Sequence, residues 1–282
     1  MKTSTFRSLG FAALASSVLL FTTSCNKDNA SPVDNLESAE DNGTADEENA
    51  AIGDIVSATA PVDAAVANGP APDPNDFSKV LNPCAQRSYD AATRTLTIDF
   101  GTVNCLCPNG KTRRGKIVVV FSPGVYRQAG AVTTVTLVNY FVNDNQHTGT
   151  RIFTNTGSGS FTLDVQNASV VTPNGTHSWT SQRQYTRTAG FGTATILDDA
   201  YQISGQATGT NRRGVSYTAA VQQPLVKKFA VGCARHFTTG TVLITNSKDK
   251  TLLLNYDPTG SAACDNIATI TVNGRTRTIT LR

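Results

Sequence analysis

Ile267-Ala268-Thr269-Ile270-Thr271-Val272-Asn273-Gly274-Arg275-Thr276-Arg277-Thr278-Ile279-Thr280-Leu281 reads as a β-hairpin. Two runs that alternate apolar and polar residues flank Asn-Gly, the dipeptide that most readily adopts the positive φ angles of a two-residue turn. The stretch predicts one strand near 267–272, a second near 275–281, and a chain end held in a sheet. Working outward, the same period-two texture recurs in Leu96, Ile98 and Phe100, in Phe161, Leu163 and Val165, and in Leu252, Leu254 and Tyr256. Such alternation puts one set of side chains on a buried face and the Thr, Asp and Arg set in water. Asn109-Gly110 and Asn174-Gly175 mark further tight turns, Gly157-Ser158-Gly159-Ser160 a flexible one, and Gly209 to Gly214 joins strands over 201–208 and 215–221. About a dozen strands and no helix are expected from Leu81 onward. The fold class is therefore all-β, an antiparallel meander or a β-sandwich. A weak internal echo suggests two related lobes: Leu96 to Gly101, Cys105 and Asn109 to Arg113 are answered by Leu252 to Asp257, Cys264 and Asn273 to Arg277.

The N-terminal segment has a different logic. Lys2 and Arg7 precede an apolar run from Leu9 to Phe21, which Thr22-Thr23-Ser24 closes with small residues directly before Cys25. An apolar run of thirteen residues is too short for a bilayer span of about 20, so the segment reads as an export signal removed after residue 24. The cysteine at the cut makes Cys25 the lipidation site, a diacylglyceryl and palmitate anchor to the membrane. One acyl chain holds a protein only marginally, and two or more hold it stably.

Charge divides the remainder. Residues 26–80 carry twelve acids against two lysines, a net charge of −10, whereas residues 81–282 carry nine aspartates, no glutamate and twenty bases, a net charge of +11. The acidic part has Phe77 as its one aromatic residue and too little apolar surface to offset the entropy of ordering, so 25–80 is expected as a disordered tether spanning roughly 40 Å. The run from Ile52 to Ala67 has transient helical character, interrupted by Pro61. The opposite charges also allow the acidic segment to fold back onto the basic domain, 81–282, and block it.

Five cysteines follow Cys25. In an exported domain they are expected as disulfides, with Cys233 to Cys264 as one pair and Cys84 to Cys105 or Cys107 as the other, each closing a loop of about 20–30 residues worth about 3 kcal/mol. Zinc would need a second cysteine pair or two histidines at short spacing, but His147, His177 and His236 are scattered. No metal site or cofactor is expected.

No nucleophile elbow, zinc-protease helix or phosphate-cradling loop is present. Asp198-Asp199, the one adjacent acidic pair after residue 80, suits calcium or a glycosidase carboxylate pair. It reads instead as a solvated turn before a strand at Tyr201. No catalytic residue is assigned. Trp179, beside His177 and Ser178, is the best aromatic for stacking on a sugar ring, with Tyr140, Tyr185 and Tyr201 as an extended platform. The doublets Arg113-Arg114, Arg212-Arg213 and Lys227-Lys228 suit carboxylates, sulfates or phosphates. The candidate ligand-binding residues are Arg113, Arg114, Trp179, Arg212 and Arg213.

Ser24-Cys25-Asn26-Lys27-Asp28 resembles the lipobox junction of Bacteroidetes-type lipoproteins, with Thr22 where such motifs usually carry leucine. Ile98-Asp99-Phe100-Gly101, the stretch from Asn109 to Ile117 and Cys264-Asp265-Asn266 are similar to a family of such lipoproteins over residues 84–282. The resemblance implies an all-β exported domain at the outer membrane, periplasmic or surface-exposed, and no activity. The leading expectation is a non-catalytic binding or adhesion module whose cationic surface takes an anionic glycan or similar polymer. The alternatives are a structural accessory subunit of an envelope protein complex and a carboxylate glycoside hydrolase. Export excludes intracellular nucleic acid as partner.

Overall fold

The computed structural model describes residues 32–60, 73–81, 83–230, 233 and 236–281. Two helices, α1 (Pro32–Thr59) and α2 (Pro74–Leu81), precede fourteen strands. The first seven are β1 (Gln86–Asp90), β2 (Thr95–Asp99), β3 (Cys105–Leu106), β4 (Thr112–Phe121), β5 (Val132–Val142), β6 (Asn145–Gly157) and β7 (Ser160–Thr172). The rest are β8 (Gly175–Ala189), β9 (Ala200–Thr210), β10 (Ser216–Lys228), β11 (Phe237–Asn246), β12 (Thr251–Asn255), β13 (Ile267–Val272) and β14 (Arg275–Thr280). All belong to one antiparallel sheet in chain order, except that β2 pairs with β4 and the short β3 lies against the start of β4. The expected meander is thus observed as a single sheet; the two lobes suggested by the sequence echo are not seen as separate bodies, because all the strands share one sheet within one compact unit.

The hairpins form where the turn dipeptides stand. Asn273 (φ 49°) and Gly274 (φ 74°) join β13 to β14, with Val272 paired to Arg275. Gly175 follows Asn174 between β7 and β8, and Gly214 turns β9 into β10. Interior bends matter more for shape. Gly115, at φ 89°, lies so close to β5 that an added Cβ would sit 1.9 Å from the Asn139 carbonyl oxygen. Only glycine permits that approach. Asn139 is itself at φ 45°, and the β4–β5 register slips between Arg114 and Lys116. Gly149 on β6 repeats the device against Asn167 and Ala168 of β7. The bulge at Asn167 also switches which β7 residues point inward, from Leu163 and Val165 to Ala168 and Val170. Bulges of this kind bend and coil a sheet.

The sheet curls around α1. Arg87 of β1 donates to the Thr59 carbonyl at 3.2 Å, capping the C-terminal end of the helix, while Gly43 packs against Leu254 and Tyr256 on the β12 side and against Leu281 beyond β14. Strands from both ends of the order therefore touch one helix, and buried residues occur on every side of it from Glu37 to Ala60. Along β8 the side chains that face α1 are His177, Trp179, Ser181, Arg183 and Tyr185; Ser178, Thr180 and Gln182 face outward. β9 likewise presents Gln202, Ser204, Gln206 and Thr208 to solvent. The outward residues of these two strands form no continuous apolar band. No helix among the described residues is long and apolar enough to cross a membrane.

Two expectations are corrected here. The tether expected over 25–80 contains α1 and α2, whereas beyond Leu81 the described residues form strands and no further helix, as expected. Composition argued for disorder because acids normally require solvent. In α1 they are buried against bases of the sheet, so the same charge that argued against folding supplies the contacts of docking. Helix α1 also belongs to the same compact unit as the strands, so the basic domain does not begin at residue 81. The signal over 1–24, Cys25 and residues 61–72 lie outside the described residues.

Both disulfides form as expected, Cys84 with Cys105 and Cys233 with Cys264, leaving Cys107 as a buried free thiol. The first ties the segment after α2 to β3. Asp76 of α2 adds a second tie, accepting from the Thr195 hydroxyl and the Ile196 amide at 2.8 Å each.

Candidate functional site

The lumen of the curled sheet is cationic and aromatic, and α1 matches it acid for base. From its N-terminal end, Glu37, Glu40 and Asp41 converge on Arg212, whose Nη1 lies 2.8 Å from Asp41; Glu37 also meets Arg213. One turn on, Arg183 of β8 donates Nε and Nη2 to the two carboxylate oxygens of Asp46 at 3.0 Å each. Glu47 lies 2.7 Å from Nδ1 of His236. Glu48 receives Lys111 at 3.3 Å and the Tyr140 hydroxyl at 3.4 Å, and Tyr140 accepts from Arg113 Nε at 3.0 Å. Near the helix end, Asp54 pairs with Lys227 at 3.1 Å. Arg151 departs from the pattern, because its contact on the helix is the neutral Asn49, at 3.2 Å.

This arrangement explains how a polar helix can be buried. Its alternating acids would be costly without partners, and even paired ions in a low-dielectric site roughly break even against an apolar alternative. The net attraction comes from Ala39, Ala45, Ile52, Ile55 and Val56, which join the core. The ion pairs fix which residue meets which.

Electrostatics follow from the packing. Burial alone would raise Glu48, yet Lys111, Arg113 and His147 more than offset it and hold the carboxyl at about 2. Burial pushes Asp54 up to about 6 despite Lys227, and Asp41 up to about 6 despite Arg212. His147 and His177 are driven down to about 4 and about 3, chiefly by burial, so both are neutral at physiological pH. Arg151 falls to about 10 for the same reason.

The sequence candidates are redistributed. Arg113 is fully buried in the lumen, while Arg114 faces outward, paired with Asp144 and lying over the Phe141 ring at 3.8 Å. Arg212 and Arg213 are committed to the acids of α1. Trp179 is not an exposed sugar platform: it is buried under the helix, stacked on His177 at 4.7 Å, and His177 meets the Tyr217 hydroxyl at 2.7 Å. These positions correct the reading of an open cationic surface. The doublets were legible as charge, but β-strand alternation turns one member of Arg113-Arg114 inward. Tyr140, Tyr185 and Tyr201 also point into the lumen, where Phe161 stacks on Tyr185 at 4.6 Å. Beneath Ala50 and Gly53 of α1, Phe153, Phe161, Tyr185 and Tyr201 wall a narrow cavity of about 50 Å³, room for a few water molecules. Asp199 is not a solvated turn residue; it is buried, paired with Arg187, and accepts from the Tyr201 hydroxyl at 3.2 Å. Asp198 accepts from Thr193 at 3.0 Å.

Sequence reasoning passed over Arg151, Arg183, Lys111 and the acids of α1 as site residues. Arg151 and Arg183 are isolated bases in threonine-rich strands, and the one available signal was their place on the same alternating face as neighbouring aromatics. The chain matches no protein-family model, and no curated protein or solved structure is similar to it.

Proposed function

We propose that this chain is a membrane-anchored cell-envelope lipoprotein whose curled sheet is a non-catalytic binding module for an anionic polymer such as an acidic glycan, and that α1 is the internal stand-in for that ligand. The observation that carries the reading is the run of pairings from Glu37 with Arg212 and Arg213 to Asp54 with Lys227. A concave face that gives seven acids of one helix a basic partner is chemically suited to a string of carboxylates or sulfates, and its aromatic floor to sugar faces. Lipidation of Cys25 would leave only residues 26–31 before α1, at most roughly 20 Å of extended chain.

The test is binding of the full mature chain to a sulfated or uronic-acid polysaccharide, with and without Glu48→Gln, across a salt series. Loosening α1 should tighten binding to the polymer, and salt should weaken it. Affinity that is indifferent both to Glu48→Gln and to salt, in protein shown to be folded, would remove the proposal.

A further inference from the structure

Five buried polar groups on β6, β8 and α1 have no hydrogen-bond partner in the protein. Trp179, Ser181 and Arg183 alternate inward on β8, and the register sets Ser181 opposite Val165 and Val165 opposite Arg151 of β6, so that Arg151 reaches across one row toward β8. Its Cζ lies 6.0 Å from the Trp179 ring centroid. Arg151 gives Nε to Asn49 and Nη1 to the carbonyls of Thr148 and Gly149, at 2.9 and 3.1 Å. Arg183 gives Nε and Nη2 to Asp46. What remains is Arg151 Nη2, Arg183 Nη1, Trp179 Nε1, Asn49 Nδ2 and Ser181 Oγ, each without a partner, on residues no more than 5% exposed.

Their chemistry is one-sided. Four are N–H donors that cannot accept, and the serine hydroxyl can donate. Groups of this kind are rarely left unmade in a folded protein. Charge is less complete at Arg151 than at Arg183, which Asp46 neutralises directly: Arg151, 0% exposed, makes its hydrogen bond on the helix to the neutral Asn49 and has the Glu48 carboxylate only within electrostatic reach. Val165, Ser181 and Ala207 form a run of small side chains across the same row, between Arg151 and the next strand. We propose that Arg151, Arg183, Trp179, Ser181 and Asn49 form a buried subsite for one anionic group, a halide or small oxyanion. That group is a free ion, because Asn49 belongs to α1 and the subsite is complete only with the helix in the lumen. The subsite stands on these unpartnered donors and does not require α1 to leave the lumen.

The experiment uses the full mature chain. At constant ionic strength, chloride-free protein is titrated with bromide and with phosphate while thermal unfolding is followed, and crystals grown in bromide are measured for anomalous scattering. A free-ion site predicts a saturable rise in Tm and a bromide peak beside Arg151 Nη2. Asn49→Asp supplies the missing carboxylate from the helix and should weaken the anion response roughly tenfold or more, the loss expected when an occupied charge-assisted site is closed. Arg151→Met should abolish the response, and Asn49→Asp keeps the test decisive where that variant does not fold. If only an acidic oligosaccharide raises Tm, with no response to bromide or phosphate, the free-ion subsite is overturned. Equal responses to every probe in wild type and Asn49→Asp, with ordered water alone beside Arg151, would overturn the subsite.

Discussion

Removing the Asp46 carboxylate tests the docked helix most directly. Asp46 accepts two 3.0 Å bonds from Arg183, and the two side chains are 6% and 1% exposed. Asp46→Ala leaves a buried guanidinium with no counter-charge. Breaking a buried pair from one side costs about 3–5 kcal/mol, because the surviving charge is uncompensated. In a domain of this size about 1 kcal/mol moves Tm by roughly 2–4 °C, so the variant should unfold some 6–20 °C lower. Differential scanning calorimetry measures the loss. Asp46→Leu combined with Arg183→Met removes both charges and should recover most of it, giving a coupling energy of at least about 2 kcal/mol in the double-mutant cycle. A drop below about 2 °C for Asp46→Ala, or additive single substitutions, would refute the burial of this pair and with it the placement of α1.

Acid titration should show an unusual slope. Asp41 and Asp54 have folded pKa values near 6, above the unfolded value of 3.8, so the native state binds more protons between about pH 4 and 6 and gains stability as pH falls through that window. Glu48, held at about 2, works the other way, and its contribution is lost below about pH 4.5. His147 and His177, held at about 4 and about 3, oppose that gain, because below about pH 6.5 the unfolded state binds the protons they exclude. Urea midpoints should therefore stay nearly flat between pH 6 and 4.5 and fall below that, and Asp54→Asn, which removes one of the two gains, should turn the flat stretch into a fall with acid; an Asp54→Asn midpoint that tracks wild type from pH 6 to 4.5 contradicts this. Gly115→Ala should destabilise by more than about 2 kcal/mol, since its Cβ would overlap the Asn139 carbonyl at a φ of 89°, and a neutral result in urea unfolding would deny the bend. Cys84→Ser with Cys105→Ser opens a loop of 21 residues and should cost about 3 kcal/mol in the same assay, with an effect under 1 kcal/mol counting against that link.

The amino-acid sequence by itself determined the strands, their hairpins and the disulfides. Those features are local or nearly so: a period of two, an Asn-Gly dipeptide, or cysteines that flank neighbouring strands carry the instruction within a few residues. Asn273-Gly274 needs nothing beyond its own φ preferences to join β13 to β14. Where the charges go is a different kind of fact. The −10 of residues 26–80 and the +11 of residues 81–282 are visible in the chain, but an acid such as Asp46 becomes structural only when Arg183, 137 residues away, is brought against it. Helix α1 lacks an apolar stripe, so no periodicity announces it; its stability lies in a lumen that the sheet must first curl to make. The inward turn of Arg113, Arg151 and Trp179 likewise depends on bulges at Asn139, Gly149 and Asn167, which set the side-chain parity. Tertiary structure alone decided that the basic face is a filled interior, because burial of charge depends on partners distant in sequence, whereas strand alternation does not.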